Sequence, residues 1–221
     1  QAEAEVSQAN NTRLTMGIHD TQFDFLLEPG ESFTAPEVML SFSSEGMGKL
    51  SRNYHKAIRR NICRGKFKNA RRPILINNWE ATYFGFDTDK LLEIAREAKN
   101  VGIEMLVMDD GWFGKRDDDN SGLGDWVVNG KKLPGGLKRL VDGVNEIGLK
   151  FGIWFEPEMV SEDSDLYRAH PDWALKVPGH SLTRGRNQLV LDFSREDVRQ
   201  YIFDKMSEIL ESANIEYVKW D

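Results

Sequence analysis

With 221 residues, one cysteine, a formal net charge of −7 and a pI near 5.3, the chain can form no internal disulfide. The acidic balance argues against nucleic acid or an anionic membrane as the main partner. No apolar run approaches the ~20 residues of a membrane span, no signal peptide is visible, and the lone Cys63 fits a reducing compartment such as the cytoplasm. The chain starts at Gln1 and stops at Asp221 directly after an apolar run, so it is expected to be an internal piece of a longer protein.

Residues 1–45 read as β. Phe23, Phe25 and Leu27 alternate with polar residues, which suits a half-buried strand. Glu28-Pro29-Gly30-Glu31 is a turn signal, and residues 38–42 are a second short apolar run. Together they suit the trailing edge of an antiparallel sandwich. Residues 46–72 read as a helix and basic connector. Leu50, Tyr54, Ile58 and Ile62 recur every four residues and form one apolar stripe. Ten basic residues and no acid lie between 49 and 72. Without interleaved aromatics for base stacking, this stretch suits a solvated connector against an acidic neighbour better than a polyanion-binding helix.

Residues 73–221 alternate strand and helix. Strands are expected at 74–78, 105–108, 150–155 and 215–220. Helices are expected after the capping run Asp87-Thr88-Asp89, over 137–147, and over 198–210. In the first helix Leu91, Leu92, Ile94, Ala95 and Ala98 should face a core, and Gly102 and Gly148 should end the first two helices. Repeated βα units imply a parallel sheet or a (β/α)8 barrel. Four units in this length make half a barrel, since a whole one takes ~250 residues.

Each of these strands ends in the same chemistry. The ends are Asn77-Asn78-Trp79-Glu80, Asp109-Asp110-Gly111-Trp112, Trp154-Phe155-Glu156-Pro157-Glu158 and Lys219-Trp220-Asp221. Carboxylates and tryptophans therefore gather at the C-terminal strand ends, the active-site face of a parallel barrel. Carboxylates accept hydrogen bonds from hydroxyls and supply the pair that cleaves glycosides. An indole covers the apolar face of a sugar ring. Tryptophans also fill barrel cores and acids also cap helices, so the signal lies in four consecutive strand ends sharing the pattern. Alternation along the last strand puts Lys219 and Asp221 on one face, where the ammonium would favour the ionised carboxylate that a nucleophile must be. The alternative for that pair is a structural ion pair.

Other motifs carry less. The run Asp117-Asp118-Asp119-Asn120-Ser121-Gly122 begins like a calcium loop, but Val128 stands where the closing glutamate should be. The four histidines show no metal-ligand spacing, and no phosphate-binding or dinucleotide fingerprint is present. No metal and no organic cofactor is expected.

From residue 73 onward the chain resembles the α-galactosidases of glycoside hydrolase family 36, the melibiase type. The strings that carry the resemblance are Asn77-Asn78-Trp79-Glu80-Ala81, Met108-Asp109-Asp110-Gly111-Trp112-Phe113, Gly124-Asp125-Trp126, Gly152-Ile153-Trp154-Phe155-Glu156-Pro157-Glu158-Met159 and Tyr217-Val218-Lys219-Trp220-Asp221. Residues 12–62 are similar to the end of that family's β-supersandwich and its connector. The resemblance implies an α/β fold: residues 1–45 end the sandwich domain, 46–72 connect, and 73–221 form the first half of a (β/α)8 TIM barrel. It implies release of terminal α-linked galactose from α-galactoside oligosaccharides such as melibiose and raffinose, with retention of configuration.

In that reading Asp221 is the nucleophile, Asp109 and Asp110 bind galactose hydroxyls, Trp79 and Trp154 wall the pocket, and Arg186 and Lys219 hydrogen-bond the sugar. The acid/base partner lies beyond the chain, which by itself is expected to be inactive. Replacing Asp109 or Asp110 with alanine should lower kcat/KM and leave the fold intact. The parent is expected to be a cytoplasmic homo-oligomer, such as a tetramer, with neither nucleic acid nor membrane as partner. Alternatives within the family are an α-N-acetylgalactosaminidase or a galactosyl transglycosidase. Outside it, the alternative is a sugar-binding module without catalysis.

Overall fold

The computed structural model describes residues 1–221 except Gln22 and Thr183. The chain divides into two compact units, residues 1–71 and 72–221. In the first, β1 (Ala2–Val6) and β2 (Thr12–Met16) form an antiparallel hairpin in which Ala2 pairs with Met16 and Val6 with Thr12. The predicted turn forms: Glu31 N–H donates to Glu28 C=O at 3.0 Å.

The strands expected at 23–27 and 38–42 are not there. Both segments lack regular secondary structure, and among the described residues no strand pairs with them. A strand exists through its ladder, and alternation alone supplies no partner for the backbone N–H and C=O groups. Instead Phe23 and Phe25 fold over Phe33, with ring centroids 5.9 and 4.7 Å away. The expected helix is α1 (Met47–Asn61). Its stripe is only half covered: Tyr54 donates its hydroxyl to Met39 C=O at 3.2 Å, while Ile58 and Ile62 stay exposed.

The second unit is an α/β fold on a four-stranded parallel sheet. Its elements are β3 (Leu75–Asn77), the short α2 (Trp79–Thr82), α3 (Thr88–Asn100), β4 (Met105–Met108), α4 (Gly136–Glu146) and β5 (Lys150–Phe155). Then come β6 (Met159–Ser161), α5 (Asp165–Ala169), β7 (Gln188–Val190), α6 (Glu196–Glu211) and β8 (Tyr217–Trp220). The sheet order is β3-β4-β5-β8, with Leu75 opposite Met105, Met105 opposite Lys150, and Gly152 opposite Tyr217.

The expected helix chemistry holds. Asp87 caps α3, its Oδ1 accepting from Lys90 N–H at 2.8 Å, and Leu91, Ala95 and Ala98 are buried. Helix α4 buries Leu137, Leu140, Val141 and Val144, and α6 buries Val198, Ile202, Met206 and Ile209. Covered on both faces, β4 is wholly buried, which is why it reads as an unbroken apolar run. Each such side chain contributes about 1.5–3 kcal/mol on burial. Gly152 allows close strand approach, since a Cβ there would sit 2.9 Å from Tyr217 Cδ1 and 3.1 Å from Val107 Cγ2.

The stretch between β5 and α6 holds structure that the sequence reading left open. Strands β6 and β7 form an antiparallel ladder, Val160 opposite Leu189. Asp125 accepts from the N–H groups of Asp165 and Leu166, both at 2.9 Å, and so holds the start of α5.

Candidate active site

At the C-terminal ends of the parallel strands the side chains interlock. Asn78, at the end of β3, accepts the Asp109 N–H on Oδ1 at 2.8 Å and is fully buried. Its neighbour Asn77 donates Nδ2 to Asp109 Oδ2 and accepts the Trp79 N–H on Oδ1 at 2.7 Å. These two asparagines tie the end of β3 to that of β4 and fix the start of the helix bearing Trp79. The Trp79 ring is half-buried, meeting Tyr83 and Phe84 edge-on at 5.3 and 5.0 Å.

Asp109 and Asp110 leave β4 just before a turn only glycine fits easily. Gly111 has φ +103°, and a Cβ there would lie 2.9 Å from Phe84 Cδ1. The two neighbours then diverge. Asp109 is a junction: besides Asn77, its Oδ2 accepts Lys219 Nζ at 2.9 Å, and its Oδ1 accepts the Asp110 N–H at 2.9 Å. Asp110 faces Arg116, whose Nε donates to Oδ1 and Oδ2 at 3.0 and 3.1 Å and whose Nη2 donates to Oδ2 at 2.9 Å. Arg116 is fully buried, and its Nη1 donates to Ser121 C=O at 3.0 Å. Burial pushes the Asp110 carboxyl up, against the hydrogen bonds and charge of Arg116 and the Gly111 N–H, while the Asp109 charge adds to the rise. Asp110 is therefore part of the fold's interior, and the expectation that Asp110→Ala leaves the fold intact is corrected: that change strands a buried guanidinium. Sequence reasoning missed Arg116, which sits in a charged loop with no periodicity to mark it.

The expected contact between Lys219 and Asp221 is also corrected. Residues two apart on one strand face are separated by about 7 Å along it. The long lysine stem reaches across β5 to Asp109 instead. Asp221 is held from elsewhere: its backbone N–H donates to Phe155 C=O at 2.9 Å, and its Oδ2 accepts Trp154 Nε1–H at 3.0 Å. The residue is exposed. The Trp154 ring is almost wholly buried, stacked 6.1 Å from Phe113 at an interplanar angle of 7° and packed near Trp126. With its ring inside, what Trp154 gives this site is an N–H donor.

Glu156 lies just past β5 and is buried, accepting Gln188 Nε2–H on Oε1. Burial pushes its carboxyl up; the Gln188 bond and the charges of Arg186 and Arg116 pull the other way, and the Asp221 charge adds to the rise. Arg186 stands in an exposed turn just before β7, close enough to act on Glu156 through its charge. Among the described residues no group of three or more His, Cys, Asp or Glu side chains is placed to hold a metal ion, and no helix is long and apolar enough to cross a membrane.

Fold and site together define an α/β protein with a carboxylate, lysine and tryptophan cluster at the C-terminal ends of parallel strands. The chain belongs to the Melibiase family, whose family model matches residues 32–221. It is 56% identical over 219 residues to the bifunctional alpha-galactosidase/sucrose kinase AgaSK of Mediterraneibacter gnavus, covering 99% of this chain and 23% of that protein. It is 56% identical over 220 residues to alpha-galactosidase AgaA of Geobacillus stearothermophilus, covering 100% of this chain and 30% of that one. The crystal structure of that GH36 enzyme superposes with a TM-score of 0.93 at 56% identity, over 100% of this chain and 31% of that chain. A variant of AgaA solved in complex with raffinose gives 0.93 at 55% identity, with the same coverage. The chain thus spans roughly a quarter to a third of the length of these relatives.

Proposed function

We propose that the parent protein is a retaining α-galactosidase and that this chain supplies its nucleophile and most of its galactose-binding face. The observation that carries the reading is the hydrogen bond from the buried Trp154 indole to Asp221 Oδ2, which orients an exposed carboxylate at a strand end. With Oδ2 so held, Oδ1 attacks the anomeric carbon, while a carboxylic acid from the rest of the parent, about 5 Å away, protonates the leaving oxygen. Water then hydrolyses the galactosyl-enzyme. Asp109 and Lys219 are paired with each other and each keeps further hydrogen-bonding capacity for sugar hydroxyls. In this reading Asp110 lends its remaining lone pairs, Trp79 covers the ring, and Arg186 closes over it. The raffinose complex of AgaA supports α-galactoside oligosaccharides as substrates.

The same reading takes residues 73–221 as the first half of a (β/α)8 barrel. In support, α6 and Trp220 at the end of β8 line a groove of about 530 Å³, with Ile202, Phe203, Met206 and Leu210 among its apolar residues, that suits the next βα unit. It takes 1–45 as the end of a sandwich domain and 46–72 as its connector. The family resemblance further supports a cytoplasmic homo-oligomer, such as a tetramer, needing no metal or organic cofactor.

Trapping tests the assignment. In the full-length parent, Asp221→Gly should abolish hydrolysis of a nitrophenyl α-galactoside, and azide should restore turnover with β-galactosyl azide as product. A fluorosugar inactivator should label the peptide containing Asp221. Labelling on Asp109, Asp110 or Glu156 would show that the nucleophile is elsewhere.

A further inference from the structure

Glu156 is left without a role by the chemistry above, yet it is an awkward residue to keep. It is more than nine-tenths buried, and among the described residues its Oε2 has no hydrogen-bond partner. The same holds for Oε1 of Gln188, the residue it binds. A buried acceptor without a donor costs free energy that an apolar side chain would avoid. Such a cost is tolerated where the group does something else.

What Gln188 holds is informative. It closes a two-residue hairpin turn: Gln188 N–H donates to Gly185 C=O at 3.0 Å, and Gly185 N–H donates to Gln188 C=O at 3.2 Å. The two central residues are Arg186 and Asn187, with φ of +52° and +61°. Turns of this type favour asparagine and glycine because both central residues are left-handed. Asn187 fits that preference; Arg186 carries a Cβ that disfavours it. A strained arginine at such a tip marks a place where its side chain is wanted. The turn is fastened from outside twice. Asn187 Nδ2 donates to Asn120 Oδ1 at 2.7 Å, in the loop after β4, and Gln188 Nε2 donates to Glu156, at the end of β5.

We propose that Glu156 is a positioning residue of this site: through Gln188 it holds the strained turn of Arg186 and Asn187 beside the strand end that carries Asp221. The inference rests on the reading of Arg186 as a sugar contact. Glu156 touches no substrate; it acts on where the guanidinium stands. Its carboxyl is pushed up by burial, so a neutral side chain suits the place. A glutamine at 156 could accept from Gln188 Nε2 and return an N–H to Gln188 Oε1, making good both orphaned acceptors.

The experiment is a double-mutant cycle in the full-length parent, with kcat and KM read on a nitrophenyl α-galactoside. Turnover by the unmutated parent is measured first, so that failure of the α-galactosidase reading shows separately. Glu156→Ala should then raise KM by about tenfold and change kcat far less, the signature of lost ground-state binding. Glu156→Gln should restore KM to near the parent's value. In an Arg186→Ala background Glu156→Ala should have no further effect, because the position it sets no longer matters. If Glu156→Ala fails to fold, judged by its thermal midpoint, Gln188→Ala takes its place in the same cycle. Additive losses, an unchanged KM, or a Gln variant as impaired as the Ala variant would each overturn the proposal.

Discussion

Among the described residues, 1–71 contain no buried side chain, whereas 72–221 enclose a continuous core in which Leu91, Leu106, Val141 and Ile153 are fully buried. The two stretches do not differ in how apolar they look locally. Phe23, Phe25, Leu40 and Phe42 in the first are as hydrophobic as anything in β4, yet they are between 45 and 86% exposed. The difference lies in partners. In the second unit β4, β5 and β8 each follow a helix, α3, α4 and α6, and each pairs in parallel with a neighbouring strand of the sheet. Among the described residues of the first unit only β1 and β2 pair. Hydrophobic periodicity reports a face that needs covering; whether it becomes a strand depends on a second strand to complete the ladder.

The largest expected effect tests how far the interior of the second unit depends on its buried charges. Asp110→Ala should destabilise that unit by about 3–5 kcal/mol, because it leaves the fully buried Arg116 unpaired. Asp109→Ala removes the Lys219 and Asn77 contacts, but Lys219 can turn to solvent, its side chain being 38% exposed. Asp109→Ala should therefore lower kcat/KM with a smaller loss of stability. Urea unfolding followed by tryptophan fluorescence separates the two. Equal stability losses would mean that the pair with Arg116 is not what anchors β4.

Much of this arrangement was legible in the sequence. The four parallel strands, the Asp87 cap and the clustering of acids and tryptophans at strand ends follow from periodicity, capping chemistry and the family strings. The pairings were not legible. Lys219 reaches Asp109, 110 residues away, because sheet order places β8 beside β5 and β5 beside β4, and no single strand contains that information. Arg116 and Gln188 gave no signal either. One lies in a run of charges, the other opens the short strand β7 in a stretch that the sequence left unread, and each becomes informative only when its buried carboxyl partner is seen. Among the aromatics, the sequence marked Trp154 correctly as a strand-end residue but could not show that its ring lies inside and only its N–H reaches the carboxylate.

A smaller effect should appear in the pH dependence of stability. Burial raises the Glu156 carboxyl above the ordinary glutamate value of 4.5. Below that value both folded and unfolded chains hold the proton. Between it and the raised value, the folded chain keeps a proton that the unfolded chain has released, so stability falls as pH rises through the window. Glutamine has no such window. The thermal midpoint of Glu156→Gln should therefore gain on that of the unsubstituted protein as pH is raised above 4.5. A difference that shrinks with rising pH would mean that the carboxyl is ionised in the folded state, held so by Arg186 and Arg116.

The smallest effect is expected in the first unit, and it bears most directly on the contrast between the two. Phe42 is 86% exposed and in no strand, so its ring has little to lose on truncation. In the 221-residue chain Phe42→Ala should change stability by no more than about 0.5 kcal/mol, as for other surface positions. In a chain of this size that is a shift of only about 1–2 °C in the thermal midpoint. Leu106→Ala, at a fully buried position, should cost about 2–5 kcal/mol under the same conditions. All six tryptophans lie beyond residue 72, so fluorescence reports the second unit and far-ultraviolet circular dichroism is needed to include the first. A loss for Phe42→Ala comparable to that for Leu106→Ala would show a packed core around residues 23–42. The difference between the two units would then be one of strand pairing alone, without the difference in burial.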